Sequence, residues 1–479
     1  MEFTDAGRQE IVGRTGHAPL SIFGNIASIE ARKLVGELLH MSWTRIRRLE
    51  IVIRTNLFDA DSENWATMYT AAPSLEEFRL AFMSKCDYPG EELDDDEEED
   101  EDEEGPSLHR PPGLFAGDAP RMRSFSCPSW LDIDPSASWP ANLRHLSVGE
   151  EGEGKVPLSK VLKMLSRIRH LESLELSTRN FDVGQDLHSL PVIHVPNLID
   201  LVLYFEDIVK NAIVLKHIVS APGCAIEVNM ISPLYARLGR TGDQDLIKTV
   251  LASHTENWFN SNLANKPELL ELNIFKGYIN VTQDVAPIAG SRARCFILSV
   301  LVIQQEFISG MLFVLNAFSS CDFTHITTLE LQIGQTHHWI DPNVQAFVFS
   351  FLNVRTLNTD YNTIKAMSPD DVAGSPSNRI PFPKLATIQL HSHVRVFRSA
   401  EDVQVTAEHS WKRFFGSRAR AGCPVQVLDL TKSLGPRRAD LTALEGISGL
   451  NVRWMSRDGE QVNYICGSSD LSLLSDWLA

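Results

Sequence analysis

Five lines of the chain repeat one phrase: PSLEEFRL from Pro73, PRMRSFSC from Pro120, PNLIDLVL from Pro196, PELLELNI from Pro267 and PKLATIQL from Pro383. Looser copies lack the proline. They are IRRLEI from Ile46, LRHLSV from Leu143, LESLEL from Leu171, ITTLEL from Ile326, VRTLNT from Val354 and VQVLDL from Val425. Several neighbours start 27 to 29 residues apart. That is the period of leucine-rich repeats, in which each unit supplies one strand and one return segment. One such unit cannot bury its apolar face alone, so units stack into a solenoid.

Helical spacing lies between the phrases. Leu158, Val161, Leu162, Leu165 and Ile168 form one apolar stripe, with Pro157 where a first-turn proline is tolerated. Ile208, Ala212, Leu215 and Val219 repeat it, as do Val344, Phe347, Val348 and Phe351. A longer helical stretch spans Asp243 to Asn260, after a worn strand copy at Ile226-Glu227-Val228. Strand and helix alternating in one register predict an α/β fold. The expected architecture is an irregular leucine-rich-repeat solenoid, a horseshoe with parallel strands on the concave face and helices on the convex face. Residues 1–42 read as an N-terminal segment with a capping helix at Ile29 to Met41, and 43–479 as the array.

The chain has 479 residues, 43% of them apolar, and a net charge of −18. Glu91 to Glu104 reads EELDDDEEEDEDEE, with 13 acidic residues among 14; without them the net charge is −5. The acidity is local, and residues 87–118 are expected to form a disordered insertion. Such a run repels nucleic acid and suits a basic partner. Ser368 to Ser377 reads as a loop. The seven cysteines are scattered with no Cys-x-x-Cys, as in a reducing compartment. The start carries no signal-peptide pattern, and Cys295 to Phe318 is too interrupted by Gln304, Gln305 and Glu306 to span a bilayer. A cytoplasmic or nuclear protein without membrane or nucleic-acid partners is expected.

Chemistry-bearing motifs are weak. GEEGEGKV, from Gly149 to Val156, has phosphate-loop spacing, but Val156 stands where a Ser or Thr would hold magnesium, and three glutamates would repel a triphosphate. His337-His338 and His391-x-His393 lack the further ligands that zinc requires. No catalytic, cofactor or metal site is assigned, and an enzyme is not expected.

In Leu-x-x-Leu-x-Leu the leucines point inward, so the residues between them line the concave face. The middle row reads Glu50, Arg79, Ser147, Glu175, Val202, Asn273, Glu330, Asn358 and Gln389. One pleat on, the row reads Val52, Ala81, Gly149, Ser177, Tyr204, Phe275, Gln332, Asp360 and His391. These rows are the candidate protein-binding surface, with Tyr204 and Phe275 as its aromatic members.

APSLEEFRL from Ala72, LFAGDAPRMRSF from Leu114 and VPNLIDLVL from Val195 resemble the recurring "aPnLexLxL" lines of the F-box proteins of mushroom-forming fungi. GRTGHAPLSI, from Gly13 to Ile22, resembles the line that follows the F-box in that family. The resemblance implies repeats that hold a substrate protein for a cullin-type ubiquitin ligase, reached through a Skp-type adaptor. An F-box opens with Leu-Pro, then Glu and an apolar pair. The one Leu-Pro here is Leu190-Pro191, followed by Val192-Ile193. The chain is therefore expected to begin just past the place of an F-box and not to dock on the adaptor. Two alternatives remain open: a full ligase receptor, and an acidic nuclear chaperone-like binder of basic proteins.

Overall fold

The computed structural model describes residues 13–54, 63–83, 113–128, 137–149, 156–177, 181–182, 190–205, 207–232, 241–261, 267–275, 278–285, 294–302, 305–334, 336–368, 380–391, 400–432, 444–456 and 459–468. The acidic run, the GEEGEGKV turn after Gly149 and the 369–377 loop lie outside them. The fold is mixed α/β, and 17 strands join in mostly parallel sheet pairing. The chain divides into two compact units: Met1–Phe205 with Ile213–Ala221, and Glu206–Ala212 with Pro222–Ala479.

In the first unit seven strands pair in chain order: β1 (Leu20–Ile26), β2 (Ile46–Arg54), β3 (Glu77–Met83), β4 (Ser124–Pro128), β5 (His145–Gly149), β6 (Ser173–Ser177) and β7 (Asp200–Phe205). Every pairing is parallel. Alternation explains each strand: Leu49, Ile51 and Ile53 of β2 are buried, as are Leu174 and Leu176 of β6 and Leu201 and Leu203 of β7. The return segments cover that apolar face. Helix α1 (Ile29–Ser42) is capped by Ser28, which accepts from the Ala31 N–H, and it buries Val35 and Leu39. Helix α2 (Leu158–Leu165) buries Leu158, Val161, Leu162 and Leu165 of the predicted stripe, while Ile168 lies past its end and is buried there.

The sheet begins earlier than residue 43. Strand β1 pairs along β2, so α1 is the crossover of a β-α-β unit rather than an end cap. The insertion boundary at 118 also moves. Residues 113–118 are ordered, with a 3-10 turn at Leu114–Gly117. Phe115 is fully buried, and its ring packs 5.3 Å from Phe78 and 5.5 Å from Trp139. Its φ of 60° lies in the left-handed region, which costs an L-residue about 1–2 kcal/mol. Burying a phenyl ring there more than offsets that cost.

The second unit holds β8 (Ala225–Ser232), β9 (Leu269–Phe275), β10 (Tyr278–Val285), β11 (Arg294–Val302), β12 (Thr328–Ile333), β13 (Thr356–Thr359), β14 (Thr387–Leu390), β15 (Val427–Asp429), β16 (Asn451–Met455) and β17 (Gln461–Ile465). From β9 through β12 to β16 the pairing is parallel. Two places depart from the expected all-parallel array. Strand β10 runs antiparallel to both β9 and β11, with β8 parallel to β11 beyond it, and β17 closes antiparallel to β16. The short turn between β9 and β10 permits only an antiparallel hairpin, since a parallel return needs a crossover of a dozen residues or more. The worn copy at Ile226 is a true strand, β8.

Helices here are α3 (Ile208–Lys216), α4 (Thr241–Phe259), α5 (Thr336–Ile340), α6 (Pro342–Phe349), α7 (Tyr361–Met367) and α8 (Ala400–Arg420), with a 3-10 stretch at Gln305–Phe318. Helix α3 crosses the division between the units. Val219 falls past its end and is exposed, because the chain turns into the short strand Ile218–Ser220. Helix α4 covers the inner face of β11 through Phe259, whose ring lies 5.3 Å from Phe296.

All eleven phrases form strands. A side chain just before the first apolar residue of a phrase repeatedly ties one repeat to the one before. Ser74 Oγ donates to the Thr44 carbonyl at 2.6 Å, and Asn142 Nδ2 to the Pro120 carbonyl at 3.0 Å. Asn197 Nδ2 donates to the Arg169 carbonyl at 2.9 Å, and Asn353 Nδ2 to the Thr324 carbonyl at 2.7 Å. Each tie gives a turn carbonyl of the preceding repeat a side-chain donor.

Candidate binding face

The strands bury one face, so the residues between the leucines define the other. In the first unit the register aligns Glu50 with Arg79, Arg79 with Ser126, Ser126 with Ser147, Ser147 with Glu175, and Glu175 with Val202. Val52 lies beside Ala81, and Ser177 beside Tyr204. The expected rows are therefore brought together, with Ser126 added. Arg79 Nη1 donates to Glu50 Oε1 at 3.1 Å across the strands.

In the second unit the row is Glu271, Glu330, Asn358, Gln389, Asp429 and Arg453. Here the sequence reading is corrected. Asn273 does not lie beside Glu330 but beside Gln332, one pleat further on, and Glu271 takes its place. Leu270, Leu272 and Ile274 are all buried, so a two-residue slip leaves the same face inward. Leu269, which the phrase had as its first inward leucine, is 46% exposed. Phe275 then meets Gly334, where a Cβ would sit 3.2 Å from Phe275 Cδ1.

Two further residues leave the row. Asp360 lies beyond the four-residue β13, and its carboxylate caps α7 by accepting from the Thr363 N–H at 2.7 Å. His391 lies just past β14, where its N–H still reaches the Thr359 carbonyl at 3.0 Å.

A chemical pattern that the sequence rows missed emerges in this unit. Three strands carry a glutamate followed two residues later by an amide: Glu227 and Asn229 on β8, Glu271 and Asn273 on β9, Glu330 and Gln332 on β12. In each, the amide nitrogen donates to the glutamate of its own strand, at 2.8 Å in β8 and 3.4 Å in β12. The amides then line up across five strands: Asn229 with Ser299, Ser299 with Asn280, Asn280 with Asn273, and Asn273 with Gln332. Ser299 Oγ donates to Asn280 Oδ1 at 2.9 Å. The signal was present in the letters as EVN, ELN and ELQ.

No family model matches the chain, and no curated protein matches it. The likeness to the fungal F-box repeats thus rests on the quoted lines alone.

Among the described residues no group of three or more His, Cys, Asp or Glu could hold a metal ion. Burial pushes the Cys321 thiol up to about 12, and burial followed by the nearby Glu445 pushes Cys466 up to about 11. Both are protonated at neutral pH and thus weak nucleophiles. No helix among the described residues is long and apolar enough to cross a membrane.

Proposed function

We propose that this chain is a non-catalytic protein-binding scaffold, an irregular leucine-rich-repeat solenoid whose polar sheet face receives a partner. It resembles the substrate-holding region of an F-box protein and works in the cytoplasm or nucleus. One observation supports this most: register carries polar side chains of successive repeats onto one face while the leucines opposite them are buried. Such a face offers contact area that the core does not need. Its residues are Glu50, Arg79, Glu175, Val202 and Tyr204 in the first unit, and Glu271, Glu330, Asn358 and Gln389 in the second.

Affinity capture from a cell extract, followed by protein identification, tests the proposal. Val202→Glu with Tyr204→Ala, or Gln389→Arg, should each remove captured proteins while leaving the melting temperature unchanged. Capture that ignores the face but vanishes when Glu91–Glu104 is replaced by Gly and Ser would instead favour the acidic binder of basic proteins. Calorimetric titration with a purified Skp-type adaptor should show no heat of binding; a saturable micromolar signal would favour the full ligase receptor.

A further inference from the structure

From the first unit we infer that Arg121 and Arg123, with Arg144 beside them, form a basic island that receives an acidic, extended segment of the partner protein. The inference rests on the binding-face reading above and specifies the chemistry at one rim of that face.

Three consecutive repeats carry basic residues where their strands start: Arg121 and Arg123 at β4, Arg144 and His145 at β5, Arg169 and His170 at β6. Backbone bonds set the first two repeats side by side. The Arg144 N–H donates to the Arg123 carbonyl at 2.7 Å, and the Arg123 N–H to the Glu76 carbonyl at 2.8 Å. His145 pairs in register with Ser124 and Ser173, so the island borders the part of the polar face that holds Ser126 and Ser147. Met122 is buried between Arg121 and Arg123, and both arginines are exposed. The two therefore share the outward side of the chain.

Other cations at this rim are already matched: Arg47 with Glu76, Arg48 with Glu77 and Arg144 with Glu172. Arg121 and Arg123 have no ion pair among the described residues. Arg123 also stands next to Arg144, and like charges on neighbouring strands repel. An anion over the island relieves that repulsion.

The ligand must be acidic and narrow. Glu76 and Glu77 bound the island on the β3 side, and Glu172 bounds it on the β6 side. Nucleic acid gains its affinity by neutralising many phosphates, and here its further phosphates would fall on those carboxylates. An extended peptide rises about 3.3 Å per residue, so alternate side chains stand about 6.6 Å apart on one side. That is the same two-residue step that separates Arg121 from Arg123. Carboxylates at alternate positions then meet both guanidiniums, each of which offers a fork of donors.

The probe is a fluorescein-labelled decapeptide of alternating glutamate and serine, titrated into the full chain at about 0.1 M salt, where the screening length is about 10 Å. The chain carries a net charge of −18 and repels such a peptide unless a local island receives it. Saturable binding is expected. It should weaken at least ten-fold in Arg121→Gln/Arg123→Gln, and as much for the glutamine–serine peptide on the unaltered chain. The peptide comparison needs no variant and stands even if the double variant folds poorly. The same titration on a chain with Glu91–Glu104 replaced by Gly and Ser removes most of the repulsion. Absence of binding to both chains overturns the island, as does equal affinity for the double variant. Tighter binding of a decapeptide with one phosphoserine, or of oligouridylate, would assign the arginines to phosphate and overturn the carboxylate reading. If the island fails while Gln389→Arg still removes captured partners, only the acidic-segment assignment falls. If capture ignores the whole face, the scaffold reading falls first.

Discussion

The two units build the same kind of leucine-faced strand but dress the opposite face differently. In the first unit, charges pair between repeats. On that face Arg48 meets Glu77 at 3.1 Å and Arg79 meets Glu50 at 3.1 Å; at the start of the strands Arg47 meets Glu76 at 2.8 Å and Arg144 meets Glu172 at 3.0 Å. In the second, the glutamates of β8, β9 and β12 take a hydrogen bond from an amide within their own strand. Cross-strand ion pairs hold register between neighbours. An amide on the same strand orients its glutamate without tying that strand to its neighbour. The core dictates the leucines in both units, so the polar face was free to take on one role or the other.

The comparison predicts equal cores and unequal surfaces, and the largest effects test the core. Phe115→Ala removes the ring around which Phe78, Phe125 and Trp139 pack. It should cost about 3–5 kcal/mol in a denaturant melt, the usual figure for a buried phenylalanine. A cost below about 1 kcal/mol would mean that 113–118 does not close the first core.

Leu201→Ala in β7 and Leu272→Ala in β9 occupy matching, fully buried positions. Each should lose about 2–5 kcal/mol. Hydrogen exchange can read the two units separately. A loss confined to one variant would end the claim that both faces are packed alike.

Asn197→Ala and Asn353→Ala cut one repeat-to-repeat tie in each unit. About 0.5–1.5 kcal/mol is expected for each, since a turn carbonyl loses its donor but can reach water. Similar values would show that the tie serves both units; a neutral Asn353→Ala would confine it to the first.

Glu50→Gln should change stability least, by about 0–1 kcal/mol, because the pair with Arg79 is exposed. Glu330→Gln sharpens the contrast. It relieves paired carboxylates and should be neutral or slightly stabilising by a few tenths of a kcal/mol. Destabilisation beyond about 1 kcal/mol would mean that Glu330 helps to hold the sheet together.

Much of the fold was legible because period-two alternation survives every irregularity. Leu174, Leu176, Leu329 and Leu331 could point only one way once their strands were found. Candidate residues were legible where a proline phrase and its leucines agreed, as at Arg79 and Val202. They failed at Asn273, where three alternating apolar residues fit the core in two registers, and at Asp360, where a four-residue strand ended before the second pleat. Glu271 was overlooked because its place depends on which strand lies alongside, whereas Ser126 and Asp429 were missed although their own phrases place them between two inward residues.

Sequence alone determined where the strands of the eleven phrases lie and which of their faces is buried. Those properties are local, set by alternation along one strand. Tertiary structure alone decided that β1 joins the sheet, that β10 runs antiparallel between β9 and β11, and that Glu271 rather than Asn273 stands beside Glu330. Shifting a strand by two residues keeps every side chain on its own face, so burial cannot choose between such registers. Only the hydrogen-bonded neighbour can.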